Sequence, residues 1–358
     1  MILMRRMRVC LMSIAYAFAV KTPAQSPETI PTFPLESVAT HAVAVPPFRF
    51  MGQPQCDGSG NVYYIVVQND SSPRTIVRIS EDGEEGQPFL LPNDADERHS
   101  WKLYPASDGT VFVLSSFYPT DKRPETHTLI KLSSSGEVIS RTTLPLPPPF
   151  QVLSFAVQPN GSSMVIGSIF LQKTSDANPD PPDNLYTAWL DPAGRIIRQV
   201  GLDPAEKKDI WLSEPNSIAV TVGSPGTFLS ISGDKVKVYD TSGSLQYSVP
   251  ARKPAKDAFL FSVGYVDGQI AIPWSSLAAT VPSTDATNPA PRLPPHHAPQ
   301  GKLDLTWLLM DVQDGHSHGF FKMPSDYNGM ALCYLGNQHF LYQSGKDGRL
   351  IYVETRPH

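Results

Sequence analysis

Charge, cysteine and long apolar runs are all scarce in this chain, and each scarcity removes a class of function. Only 18% of the 358 residues are charged, the net charge is −5, and no run of Lys or Arg follows the first few residues. A chain without a basic face is a poor partner for nucleic acid and for anionic membrane surfaces. Beyond the N-terminus no apolar stretch approaches the ~20 residues of a membrane-spanning helix. No G-x-S-x-G elbow is present, which argues against a nucleophilic serine on a strand–turn–helix. No amphipathic helix of convincing length occurs either. What is abundant is Pro (36) and Gly (24), the composition of many short strands joined by turns.

The first residues have the charge order of an export signal. Arg5, Arg6 and Arg8 precede an apolar stretch from Val9 to Val20, too short for an anchor, and Ala17-Phe18-Ala19 or Thr22-Pro23-Ala24 supplies a small-residue cleavage site. Residues 1–24 are therefore expected to be a signal peptide, 25–33 a Pro-rich leader, and 34–358 a single domain of a protein destined for the periplasm or the extracellular space. Processing would leave 25 basic against 34 acidic residues, a net −9. Cys10 would go with the signal, leaving Cys56 and Cys333 for an oxidising compartment.

From Pro34 two kinds of strand–turn–strand unit alternate. One kind comprises "PQCDGSGNVYYIVV", "YPASDGTVFVLSS", "FAVQPNGSSMVIGS", "IAVTVGSPGTFLSIS", "VGYVDGQIAIPW" and "LCYLGNQHFLYQS", with turn glycines at Gly58, Gly109, Gly161, Gly226, Gly268 and Gly336. Between them lie hairpins such as "LIKLSSSGEVISRT" and "AWLDPAGRIIRQV". Each pair makes a four-stranded antiparallel sheet of about fifty residues, which cannot bury both faces except by stacking on its neighbours. The sixth pair begins at "RLIYVE", and the chain ends before its last strand. The alternating segment Ser37–Val45 is a donor for that missing strand. The expected fold is thus all-β: a six-bladed β-propeller of four-stranded antiparallel blades, closed by an N-terminal strand.

"CDGSGNVYYIVV" and "EPNSIAVTVGSPGTFLSIS" resemble repeats of the NHL, gluconolactonase-like and TolB-like six-bladed propellers, in which a D-x-x-G-N-V-Y-V pattern recurs. The resemblance implies the fold first. It also implies, for the lactonases, a divalent metal in the channel held by a Glu, an Asn and an Asp. Asn216 stands at the family's Pro-Asn position, but the following strand, "TFLSISG", carries no Asp, and no Glu stands before a Pro-aromatic element in the first unit. The implied metal set is incomplete.

Two insertions widen the spacing, at 173–184 and at 275–302, and long loops on one face are where contacts with a ligand or partner are built. The second holds His296 and His297, and "DGHSHG" in the same unit holds His316 and His318. Four imidazoles in one region are the candidate ligands for Zn²⁺ or Cu²⁺; otherwise they are solvated loop residues. Asp176, Asp180 and Asp183 in the first insertion suit a solvated acidic loop better than a Ca²⁺ site. The Asp57–Asn61 loop has one acid and is followed by a strand, so it reads as a turn rather than a metal or dinucleotide loop.

Trp101, Trp211 and Trp274 stand near strand ends and are the candidate ligand-binding aromatics, with Tyr104 and Tyr265 on inner strands; the competing use is packing between sheets. Cys56 and Cys333 occupy equivalent positions in the first and sixth units. They either bridge the closing seam, which needs Cα atoms within about 7 Å, or remain separate buried thiols. The expectation is an exported, non-enzymatic binding module for a protein, peptide or glycan, with no required cofactor. The alternatives are a metal-dependent hydrolase or lyase at the central channel and a structural component of the envelope.

Overall fold

Hydrophobicity falls from the second strand of each unit to the fourth, and the fold accounts for it. A computed structural model describes residues 30–43, 49–50, 53–67, 72–91, 99–119, 123–169, 184–201, 218–232, 234–255, 258–260, 262–277, 303–323, 329–346 and 349–358. The expected signal peptide, most of the leader and all of both insertions except their edges at 184 and 275–277 fall outside these residues.

The chain opens with β1 (Thr32–Ala42). A first sheet follows: β2 (Arg49–Phe50), β3 (Gln55–Cys56), β4 (Val62–Val67), β5 (Thr75–Ile79) and β6 (Phe89–Leu90), with β2 and β3 both paired to β4. The second contains β7 (His99–Pro105), β8 (Val111–Phe117), β9 (Thr126–Leu132) and β10 (Val138–Leu144). The third contains β11 (Phe150–Val157), β12 (Ser163–Ile169), β13 (Asn184–Leu190) and β14 (Ile196–Val200). The fourth contains β15 (Ile218–Val222), β16 (Thr227–Ser232), β17 (Lys235–Asp240) and β18 (Leu245–Pro250). Next come β19 (Phe259–Leu260), β20 (Gly264–Val266), β21 (Gln269–Leu277), β22 (Leu303–Asp311) and β23 (Ser317–Lys322), then β24 (Gly329–Gly336), β25 (His339–Lys346) and β26 (Arg349–Pro357). These last two groups form one nine-stranded sheet because β1 lies between β23 and β26.

Strands β4 and β8 are buried along their whole length, and β12 nearly so, whereas β10, β14 and β18 are largely exposed. A strand in the middle of a sheet that is covered on both faces must be apolar throughout, hence "VYYIVV" and "VFVLSSF". The outermost strands, such as "VISRTTL", meet water.

The covering is supplied by the neighbouring sheet. Tyr63, Ile76 and Phe89 of the first pack with Val111, Val113 and Ile130 of the second. Phe112 and Leu114 of the second meet Phe150, Val165 and Tyr186 of the third, and Met164 and Trp189 of the third meet Val220 and Phe228 of the fourth. Trp307 and Phe321 pack with Phe340 and Tyr342 across the nine-stranded sheet. Leu341 and Tyr352 of its last part return to Val62 and Tyr64 of the first sheet. The innermost strands β3, β7, β11, β15, β20 and β24 neighbour one another in that order, and β24 comes back to β3. Four-stranded antiparallel sheets stacked face to face in a circuit, each giving its first strand to a common axis, make a β-propeller.

β1 differs from the expectation at its start. It begins at Thr32, so the last residues of the expected leader belong to the fold. Thr32–Pro34 run parallel to Phe320–Lys322, and Leu35–Ala42 run antiparallel to Pro357–Ile351. Leu35 is 1% exposed in the core shared with Phe321, Phe340 and Val353, and Phe33 stacks on Phe321.

The first turn is also built differently in detail. Its left-handed residue is Gly60, with φ +85°, two positions after Gly58, whereas in the other five turns the named glycine itself has positive φ. Asp57 organises this turn: its Oδ1 accepts the backbone N–H groups of Ser59 (2.8 Å) and Asn61 (3.0 Å), and its Oδ2 accepts Asn61 Nδ2 (2.9 Å) and Tyr63 OH (3.2 Å). Asp191 and Asp240 hold their turns in the same way.

Candidate functional site

The inner strands enclose a cavity of about 450 Å³. It is bounded by Cys56 and Asp57 after β3, residues 101–107 along and after β7, Leu153–Phe155 of β11, Ile218–Val222 of β15, Gly264–Val266 of β20 and Leu332–Tyr334 of β24.

Apolar and aromatic residues, Trp101, Tyr104, Phe155, Tyr265 and Tyr334 among them, outnumber polar ones in the lining, while polar atoms supply about half of its surface. Several hydroxyls are already used to fasten the inner strands. Tyr104 OH accepts the Val222 N–H at 3.1 Å, and Ser154 Oγ accepts the Val220 N–H at 3.0 Å. Tyr334 OH donates to Gln269 Oε1 at 2.7 Å. Burial raises the pKa of the Tyr104 phenol, which remains a neutral hydrogen-bonding group. The charged lining residues are Asp57, whose oxygens are occupied by its turn, and Lys102. Burial pushes the Lys102 ammonium below the ordinary lysine range.

The seam between the last and first sheets touches this cavity. Cys56 and Cys333 form a disulfide there, with Cα atoms 5.8 Å apart and a sequence separation of 277. Behind it Tyr352 OH donates to Tyr64 OH (3.0 Å), which donates to Gln343 Oε1 (2.8 Å).

The remaining expected site residues divide. Trp101 lines the cavity, with the Arg74 guanidinium 4.2 Å from its ring centroid. Trp274 is 0% exposed and not part of the cavity wall; the Lys253 ammonium lies 5.3 Å from its ring, and its indole serves packing. Trp211, Asn216, His296 and His297 lie outside the described residues, as do Asp176, Asp180 and Asp183. His316 and His318 sit edge to face, 5.2 Å between ring centroids. His318 Nε2 is 2.9 Å from Asp311 Oδ1 and 3.1 Å from Gln269 Nε2. Burial opposes ionisation of Asp311, but the hydrogen bond and charge of His318 prevail and lower its pKa. Among the described residues no three His, Cys, Asp or Glu side chains are grouped to hold a metal.

A second polar cluster lies in the second sheet. Ser116 Oγ is 2.8 Å from His127 Nδ1, and His127 Nε2 is 2.7 Å from Glu125 Oε1. The residue types are those of a hydrolytic triad, yet Ser116 and His127 are each 2% exposed and neither borders the cavity. The cluster instead joins sheets, since Glu125 Oε1 also accepts the Phe150 N–H at 2.9 Å, where β11 begins. Burial lowers the His127 pKa against the opposing pull of the Glu125 carboxylate. The folded state then binds fewer protons at this ring than the unfolded chain. The stability involved is present above about pH 6.5 and declines as pH falls below it. The urea midpoint is expected to be lower at pH 5.5 than at pH 7.5. His127→Phe should cost about 1–3 kcal/mol at neutral pH by leaving its partners unpaired, and should flatten the acid slope; an unchanged slope in the variant would place the titration elsewhere.

No family model and no curated protein matches this sequence. Among solved structures, the chain is similar to the Pan2 WD40 domain of Neurospora crassa at 9% identity and a TM-score of 0.43, over 90% of this chain and 96% of that one. YCF48 bound to D1 peptide shares 9% identity at a TM-score of 0.40, covering 89% and 98% of the two chains. A mutant of Synechocystis apocarotenoid oxygenase shares 11% identity at a TM-score of 0.40; 77% of this chain matches 62% of the oxygenase. At these scores none of them bears on ligand or activity.

Proposed function

We propose that this protein is an exported, non-enzymatic β-propeller that binds a partner at its axial cavity, with a peptide favoured over a glycan or a folded protein. The cavity carries the reading. Its volume falls in the range of sites for small molecules and short peptide segments, and its lining combines apolar and aromatic residues with polar groups that can fix a ligand's orientation. A folded protein meets only its rim. A hydrolase or lyase needs an acid or base free to move a proton at the substrate. Among the described residues the one lining carboxylate, Asp57, is fully engaged by its own turn.

Six blades are part of the proposal, as is kinship with the NHL, gluconolactonase-like and TolB-like propellers. The nine-stranded sheet then counts as two blades that share β1, which closes the ring. Export is supported by the charge order of residues 1–24 and by the Cys56–Cys333 bridge, since disulfides persist mainly in oxidising compartments. N-terminal sequencing of the protein from fractionated cells tests it; a full-length chain in the cytosol would overturn it.

The binding reading is tested by peptide display against the purified protein, followed by calorimetry on the selected sequences. Ser262 lines the cavity, and Ser262→Trp is expected to lower affinity more than tenfold while the melting temperature holds. Turnover of lactone or ester substrates, accompanied by a stoichiometric divalent metal, would replace this reading with the enzymatic one.

A further inference from the structure

Two charged side chains border the cavity, and they are in opposite situations. Asp57 has four hydrogen-bond donors on its carboxylate. Lys102, in the middle of β7, has none of the matching kind: its ammonium makes no hydrogen bond or ion pair with a described residue, and burial alone accounts for its lowered pKa. Lys102 is half-buried, so its unpaired ammonium keeps only part of its hydration, and a charge held in that way gains from a partner. Met or Leu would fill the same volume in a β-strand without that cost. The neighbours of Lys102 in the wall, Trp101, Leu103, Tyr104 and Phe155, offer apolar area and no negative charge.

We infer that the cavity is a carboxylate site in which Lys102 Nζ supplies the counter-charge and the aromatic wall receives the group attached to the carboxylate. This deepens the binding proposal and rests on it. One negative charge fits, because among the described residues the wall offers one free positive charge; phosphate monoesters would bring close to two. About 450 Å³ accommodates a carboxylate with one or two side chains behind it, which is the size of a peptide C-terminus or of a free aromatic acid. Both sources share the chemistry and are separated by experiment.

Calorimetry compares acetyl-Gly-Phe with its C-terminal amide, and benzoate with benzamide, on the wild-type protein and on Lys102→Gln. The acid of each pair is expected to bind at least tenfold more tightly than its amide, and the Lys102→Gln variant should erase that preference. If the peptide acid binds at least tenfold more tightly than benzoate, the source is a peptide end; equal affinities point to a free acid. Lys102→Met should melt at a higher temperature than wild type and also show no preference, so loss of binding cannot be laid to misfolding. Equal binding of acid and amide, or a preference that survives in Lys102→Gln, overturns the carboxylate site while leaving the binding reading intact. If neither these probes nor any displayed peptide binds, both readings fall.

Discussion

Replacing Cys56 and Cys333 with Ala is expected to lower the unfolding free energy by about 3–5 kcal/mol and the melting temperature by roughly 5–15 °C. The magnitude follows from the sequence separation of 277 residues. Cross-linking so long a segment restricts the unfolded chain severely, and the loop-entropy relation gives about 5 kcal/mol for it. Native contacts add to this, because Cys333 is 2% exposed in a core with Leu341, Tyr352 and Val62. Alanine is the better replacement, since a serine hydroxyl would arrive there without a partner. Calorimetric melts of the oxidised protein, the reduced protein and the three variants provide the check. Either single variant should lose nearly as much as the double, since each alone abolishes the bridge. A double variant that melts within 2 °C of wild type would show that the bond contributes little.

Deleting residues 30–43 is expected to do more and to abolish the cooperative fold. The deletion removes the strand between β23 and β26, exposes the long edge of β26, and empties the place of Leu35 in the core. An unpaired edge of that length is a template for aggregation. The truncated protein should elute as aggregate and lack near-ultraviolet circular dichroism; a monomer with a sharp melt would overturn the role given to β1. Leu35→Ala is the milder companion. It should fold and cost about 2–5 kcal/mol, the range for a buried leucine truncated to alanine.

Much of this architecture is legible in the sequence because the physics is local and repeated. Each hairpin is announced by its own turn residues, and each middle strand by an unbroken apolar run that only a doubly covered strand requires. The donor strand was visible as a lone alternating segment, but its start was not. Thr32 and Phe33 sit in a Pro-rich stretch, and their strand character comes from pairing with β23 and stacking on Phe321, contacts nearly 290 residues away in sequence. The first turn is legible from "DGSG", which offers two glycines; that Gly60 rather than Gly58 takes the left-handed position follows from how the Asp57 carboxylate closes the turn. The site was harder to read. Trp101 and Trp274 look alike in sequence, and only the direction of each strand relative to the axis separates a cavity wall from a core. Lys102 gave one faint signal, a lone cation between Trp101 and Leu103 on an inner strand. Its significance depends on what fails to face it, which no single segment records.

β1 has a consequence for how the protein is made. Leu35 pairs with Pro357, more than 300 residues later, so β1 waits for its partner β26 to be synthesised. At roughly 5–20 residues per second the delay is on the order of 15–60 s. Throughout it the nascent protein carries an unpaired strand at one end and an incomplete sheet at the other. Every translation product that stops short of β26 is therefore left open.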